Sequence, residues 1–207
     1  NHLVLGCDGG LNYSFDRGAT WERLMNLPVA QFYAIGVDMQ KPYRVYGGLQ
    51  DNGTWGAPSA TRDSGGITLA DWVNLLGFDG YYCQIDPDDP NIVFCEGQYG
   101  MLRRIELKTW VKYDIKPRLV TREWDTNIRP KPGVGTPEFR FNWSSPILMS
   151  PHNPKTIFYA ANRLFRSDDR GDTWRIISPD LTRGKPGPND YRGHTITTIA
   201  ESPLQAG

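Results

Sequence analysis

Residues 14–21 read Ser-Phe-Asp-Arg-Gly-Ala-Thr-Trp, and residues 167–174 read Ser-Asp-Asp-Arg-Gly-Asp-Thr-Trp. The shared pattern, S-x-D-R-G-x-T-W, is built from residues that close a tight turn between two strands. Gly18 and Gly171 can take the positive φ that such turns require. Asp16 and Asp169 are placed to accept hydrogen bonds from nearby backbone N–H groups. Ser14, Ser167, Thr20 and Thr173 can tie the flanking strands together, and Trp21 and Trp174 are apolar plugs suited to packing between neighbouring sheets. Every position has a structural task, so the octapeptides predict a recurrent turn rather than a catalytic signature.

Working outward, the rest of the chain repeats as well. Residues 32–48 (FYAIGVDMQKPYRVYGG), 81–97 (YYCQIDPDDPNIVFCEG) and 146–162 (PILMSPHNPKTIFYAAN) each read as a strand, a proline-bearing turn and a second strand ending in small residues. Pro42, Pro90 and Pro154 mark the same point, 48 and then 64 residues apart. The second half of the unit recurs too, since 3–24 matches 157–177. A weaker copy carries Thr61, Asp63 and Gly65 as T-x-D-x-G with Trp72 beyond it, and in a more degraded copy only Thr109 and Trp110 survive at 104–110.

The unit is therefore strand A, proline turn, strand B, short turn, strand C, Asp-Gly turn, and strand D opening on Trp. Four antiparallel strands at this period predict an all-β chain of β-propeller blades. The expected parts are 1–31, 32–79, 80–144, 145–195 and 196–207: three whole blades with partial blades at both ends. Because the sequence begins at Asn1 inside a strand pattern and stops at another (ITTIAESPLQ, 196–205), it reads as a piece of a longer chain. The remaining blades of the same polypeptide are its first expected partner.

Composition agrees with many short strands and frequent turns. The 207 residues include 22 Gly, 16 Pro, seven Trp and ten Tyr. Lys plus Arg balance Asp plus Glu at 23 each, which argues against a dedicated nucleic-acid binder. No apolar run approaches the ~18 residues of a membrane-spanning helix. Of three cysteines, Cys83 and Cys95 flank the DPDDPN turn and come within possible disulfide reach if that hairpin closes tightly. They read equally well as two small buried apolar residues, and Cys7 has no obvious partner.

The octapeptide pattern resembles the Asp-box, or BNR repeat, of bacterial sialidases, xyloglucanases and the sortilin luminal domain. The phrases YGGLQDNGTW (46–55), DGYYCQIDPDDPNIVF (79–94) and ISPDLTR (177–183) are similar to those of large secreted bacterial proteins with sortilin-like or glycosidase-like propellers, and the resemblance covers essentially the whole chain. It implies a propeller, a secreted, periplasmic or cell-surface location, and Asp-boxes on a rim away from the ligand face. It implies function only weakly, because a fold hosts many functions.

In a four-stranded meander the A–B and C–D turns share one end, and the B–C turns and D–A connections share the other. The second end is the varied one, as binding loops are. Its B–C turns include Asp8-Gly9-Gly10, Gln50-Asp51-Asn52, Gln98-Tyr99 and Asn162-Arg163. Its connections include GFDG (77–80) and two long segments near 116–144 and 178–194, long enough to suggest function or mobility. The first brings Arg118, Arg122, Arg129, Lys131 and Arg140 beside Trp124 and Trp143, a set suited either to ligand contact or to pinning the loop on the propeller. Asp51 and Asp79 are the weak catalytic candidates: carboxylates roughly 5 Å apart or wider serve glycoside hydrolysis, whereas Asp at such positions also accepts turn hydrogen bonds.

His2, His152 and His194 show no metal-ligand spacing, and DPDDPN lacks the EF-hand pattern and is explained by the repeat. Neither metal nor cofactor is expected. Two functions compete. One is a non-enzymatic extracellular propeller that binds protein or glycan, as the sortilin resemblance suggests. The other is a xyloglucanase-like or sialidase-like glycoside hydrolase using acidic residues opposite the Asp-boxes. A sialidase needs an arginine cluster with a Tyr-Glu pair, and the only echo of its arginine motif is NIRP (127–130), which lacks the preceding aromatic.

Overall fold

The computed structural model describes residues 2–7, 10–24, 30–119, 139–184 and 194–206. They fall into two compact units, Asn1–Gln31 and Phe32–Gly207. The first is a three-stranded antiparallel meander of β1 (Leu3–Cys7), β2 (Gly10–Ser14) and β3 (Glu22–Leu24). The second contains three four-stranded antiparallel sheets, each with its strands in sequence order. They are β4 (Phe32–Val37) to β5 (Arg44–Leu49), β6 (Gly53–Pro58) and β7 (Val73–Leu76); β8 (Gly80–Ile85) to β9 (Ile92–Gly97), β10 (Met101–Glu106) and β11 (Val111–Asp114); and β12 (Ile147–Met149) to β13 (Ile157–Ala160), β14 (Leu164–Ser167) and β15 (Arg175–Ile176). These are propeller blades, and the fold is all-β apart from two three-residue 3-10 turns among the described residues. In all four sheets the residue before the last strand is a tryptophan: Trp21, Trp72, Trp110 or Trp174.

The blades of the second unit are held by cores that lie between sheets. Along β9, alternate side chains leave opposite faces. Val93 and Cys95 join Tyr46, Leu75, Leu76, Cys83 and Ile105 between the first and second of these blades. Phe94 joins Leu102, Ile115, Ile147, Met149, Ile157, Tyr159, Phe165 and Trp174 between the second and third. A strand buried on both faces cannot alternate apolar with polar, and β9 reads IVFCEG accordingly. Two glycines set the closeness of the first pair of blades. A Cβ on Gly48 would strike the Gly80 backbone, and one on Gly80 would strike Gly53 and Thr54.

The two octapeptide turns have the same geometry. Ser14 Oγ donates to Asp16 Oδ1 (2.8 Å) and accepts the Gly18 N–H (2.7 Å), while Asp16 accepts the Thr20 N–H (2.9 Å) and hydroxyl (2.7 Å). In the second copy the corresponding bonds of Ser167, Asp169, Gly171 and Thr173 measure 2.7, 2.8, 2.8 and 2.5 Å. Gly18 and Gly171 adopt φ of 94° and 91°, and the arginines before them, Arg17 and Arg170, are also left-handed at 64° and 61°. The Thr20 hydroxyl, the Thr20 N–H and the Ser14 hydroxyl lower the Asp16 carboxyl to about 2. The third copy keeps the bond from the Asp N–H to the hydroxyl two residues before it (Asp63 to Thr61 Oγ1, 3.1 Å), but its carboxylate accepts the Gly65 N–H (2.8 Å) instead of the N–H four residues on, and a 3-10 turn over Leu69–Asp71 follows. In the most degraded copy Trp110 itself takes the positive φ, 59°.

The tryptophans of the two octapeptides differ in burial. Trp174 is 5% exposed and donates its indole N–H to the Ile115 carbonyl (2.7 Å). Removing a tryptophan's ~150–250 Å² from water is worth roughly 4–6 kcal/mol, against about 1 for the hydrogen bond, so the ring acts mainly as a plug. Trp21 is 43% exposed. Arg170 also crosses between blades, with Nε 2.5 Å from Oδ2 of the fully buried Asp86. Arg104 reaches back to the Arg170 carbonyl (3.0 Å) and Asp172 (2.8 Å).

Asp86 belongs to a second repeated device, at the end of strand A. Asp38 Oδ1 accepts the Gln40 and Arg44 N–H groups (3.2 and 2.8 Å), Asp86 Oδ1 those of Asp88 and Asp89 (2.9 and 3.2 Å), and Ser150 Oγ that of His152 (3.2 Å). The proline turn thus has a polar anchor in each blade. At 194–206, where another strand A was expected, no strand forms; Ile196 N–H donates to the Ala161 carbonyl (2.8 Å).

Arg170→Ala should strand the Asp86 carboxylate between blades and cost about 3 kcal/mol in chemical denaturation, the low end for a buried pair because Arg170 is partly exposed. Arg17→Ala, at an exposed side chain, should change stability by no more than about 0.5 kcal/mol. Adding Asp86→Asn to Arg170→Ala should recover part of the loss, because it removes the stranded charge.

Candidate functional site

Strand direction places the turns Gln50–Asn52, Gln98–Gly100 and Ala161–Arg163, with the connections that follow β7, β11 and β15, at one end of the second unit's blades. The octapeptide and proline turns occupy the other end. The candidates at the loop end fall into three groups.

Asp51 and Asp79 form one group, and they interact as turn groups. Asp51 is left-handed (φ 59°), and its N–H donates to Asp79 Oδ1 at 2.6 Å. Asp79 is buried, with Oδ2 3.4 Å from the Tyr81 hydroxyl. Burial pushes the Asp79 carboxyl up, but hydrogen bonds from the Asp51 N–H, Gln98 and Tyr81 outweigh it and hold the group below the ordinary range. Asn52 closes the same turn, donating to the Gln50 carbonyl (2.9 Å) and accepting the Trp55 indole N–H on its own carbonyl (2.7 Å). Asp79 thus acts as a buried acceptor, whereas the Asp51 side chain is exposed.

The second group fastens the segment after β15. Arg140 donates through Nη2 to Asp180 Oδ2 and Thr182 Oγ1, both at 2.8 Å, and its N–H meets Asn162 Oδ1 at 2.9 Å. Asn162 and Thr182 also bond Asp180. Burial raises the Asp180 carboxyl, yet these donors hold it well below the usual range. Arg163 Nη1 lies 3.4 Å from the Ser178 carbonyl. Both arginines engage the ISPDLTR segment. Its Asp180-x-Thr182 turn was a signal in the sequence that went unused. Asp8, Arg122, Trp124, Arg129 and Lys131 lie outside the described residues.

The third group is aromatic. Tyr99 is left-handed (φ 57°, ψ 36°) and 52% exposed, and its ring stands edge-on to Trp143 with centroids 5.2 Å apart. Its carbonyl accepts from Lys116 Nζ (2.8 Å), which also lies 4.4 Å above the Phe141 ring. Burial lowers the Lys116 pKa, partly opposed by Asp114. Phe78, next to Asp79, is left-handed as well (φ 64°) and 68% exposed. Non-glycine residues in this conformation are uncommon, and such strain collects at functional sites.

Glu96, which the sequence reading missed, lies below this end. The pairing Gly80↔Gly97 followed by Cys83↔Cys95 sets Tyr81 and Tyr82 opposite one residue, Glu96, making a bulge. Glu96 accepts the backbone N–H groups of Ser145 (2.8 Å) and Tyr82, and Oε2 has no partner. The side chain is fully buried, and burial pushes its carboxyl well above the ordinary value despite those donors. Alternation carried the signal, because Glu96 shares its face with the buried Phe94.

Among the described residues no group of three His, Cys, Asp or Glu side chains is arranged to hold a metal, and no helix is long and apolar enough to cross a membrane. In DPDDPN, Asp86 and Asp89 direct their oxygens to turn N–H groups and, for Asp86, to Arg170.

No family model and no curated protein matches the chain. Solved structures similar to it include the GH74 xyloglucanase from Xanthomonas campestris, at 18% identity over 87% of this chain and 28% of that one, with a TM-score of 0.45. They also include the GH74 enzyme from Niastella koreensis, at 15% identity over 84% of this chain and 27% of that one, with a TM-score of 0.46. The chain thus spans little more than a quarter of the length of either protein. The blades are established by the sheets themselves.

The buried acid gives a pH signature. Folding favours protonated Glu96, so stability should fall as pH rises from the ordinary glutamate value of about 4.3 toward the raised folded value. Glu96→Gln, which keeps the acceptor for Ser145 without the charge, should remove that fall. Parallel thermal melts of both proteins from pH 4 to pH 8 measure it, and curves of equal slope would refute it.

Proposed function

We propose that this protein is a non-enzymatic, secreted or cell-surface propeller that binds an extracellular polysaccharide or protein at its loop end. The observation that carries the reading is the aromatic ledge: Tyr99, exposed in a left-handed turn and braced by Trp143, with exposed Phe78 in the connection before the same blade. Rigid aromatics presented by short turns offer contact area with little ordering cost. Flat rings favour the faces of sugars, so polysaccharide is the preferred ligand. The acid groups support binding over hydrolysis. Asp79 is a buried turn acceptor, Asp180 is held by Arg140, Asn162 and Thr182, Glu96 has no exposure, and the exposed Asp114 is paired with Arg103 and Arg118, which leaves Asp51 as an exposed carboxylate with no arginine described beside it. The octapeptide turns serve the scaffold.

The test is retention on a panel of soluble polysaccharides in affinity electrophoresis. Tyr99→Gly removes the ring and suits the left-handed backbone. Together with Trp143→Ala it should weaken retention at least about tenfold, or about 1.4 kcal/mol, while thermal melts show a folded protein. Release of reducing sugar that is abolished by Asp51→Asn would overturn the non-enzymatic reading in favour of glycoside hydrolysis.

A further inference from the structure

The two cysteines of the central blade form one rung of its ladder. Cys83 on β8 pairs directly with Cys95 on β9, and their sulfurs face each other at 3.6 Å. Both thiols are free and buried, in an apolar layer with Tyr46, Leu75, Val93 and Ile105. Directly opposed residues of an antiparallel pair have Cα atoms about 4.5–5.5 Å apart, inside the range of about 4.4–6.8 Å that a disulfide spans. Closing the bond therefore requires side-chain rotation and no movement of the strands.

We infer that Cys83 and Cys95 are a disulfide-forming site, oxidised as the β8–β9 hairpin closes and sealed when the neighbouring blades pack over it. The oxidant is a protein or small-molecule disulfide. The thiolate of one cysteine attacks it, forming a mixed disulfide and releasing one thiol of the oxidant. The second thiolate then displaces the other, so two electrons and two protons leave the cysteines and the oxidant ends as two thiols. The order of events follows from burial. The hydrogen bond to Cys95, reinforced by desolvation, keeps Cys83 a thiol in the folded protein, and a thiol is not the nucleophile. Exchange belongs to the open hairpin, and the finished bond is shielded from reductants. It staples the hairpin that carries Asp86, the buried partner of Arg170. Only the source of the oxidant rests on the secreted or cell-surface reading.

The protein is unfolded, then refolded either in a glutathione redox buffer or in excess reductant, and alkylated with iodoacetamide in denaturant. Oxidative refolding should leave one alkylated cysteine, Cys7, with a peptide linking Cys83 to Cys95 and a Tm several degrees above that of the reduced form. Reductive refolding should leave three. Three alkylated cysteines in oxidatively refolded protein with native circular dichroism would overturn the inference. If oxidative refolding gives no native protein, the count is made on protein recovered folded from the culture medium, where three would overturn it equally. A linked pair after refolding in vitro with reduced thiols in the protein isolated from its native host would refute the oxidising, secreted or cell-surface location and leave the site standing.

Discussion

Burying both faces of each central strand is the constraint on which the rest of the second unit depends. A single blade cannot bury both of its apolar faces by itself, and stacking against its neighbours buries them. Here β9 sends Val93 and Cys95 into one inter-blade layer and Phe94 into the next, so each sheet completes the core of its neighbour. The Gly48–Gly80 approach and the Trp174 plug follow from the same need to bring sheets close without leaving voids.

That constraint changes the meaning of the octapeptide. Ser167, Asp169, Gly171 and Thr173 close a turn, but Arg170 and Trp174 look outward and join the blade to the one before it. The turn end of the blades therefore works as a seam, held by a plug, a buried ion pair and the Asp or Ser anchors of the proline turns. With packing assigned to that end, variation is free to collect at the other, where Phe78, Tyr99 and Asp51 all sit in left-handed turns.

Much of the fold was readable from one chain because each turn carries its own local chemistry. Positive φ asks for glycine, an Asx turn asks for Asp, and a strand entering a core opens on Trp, so the repeat announces itself even in the worn copies around Thr61 and Thr109. The candidate site was less legible. Arg140 and Trp143 looked alike as members of a basic and aromatic loop, yet Arg140 is occupied by Asp180 from forty residues later while Trp143 backs Tyr99. Glu96 was passed over because its partner Ser145 lies beyond a long connection.

By itself the sequence determined the all-β class, the period of the blades and the separation of turn end from loop end, since all three follow from contacts among residues close in the chain. The tertiary structure decided which charged groups are occupied and which surfaces stay open. Asp79 was assigned to the Asp51 N–H, Asp86 to Arg170 and Asp180 to Arg140 by the approach of segments 28, 84 and 40 residues apart. The physical reason is that a carboxylate's role depends on the donors brought to it and the water taken away, and blade packing sets both.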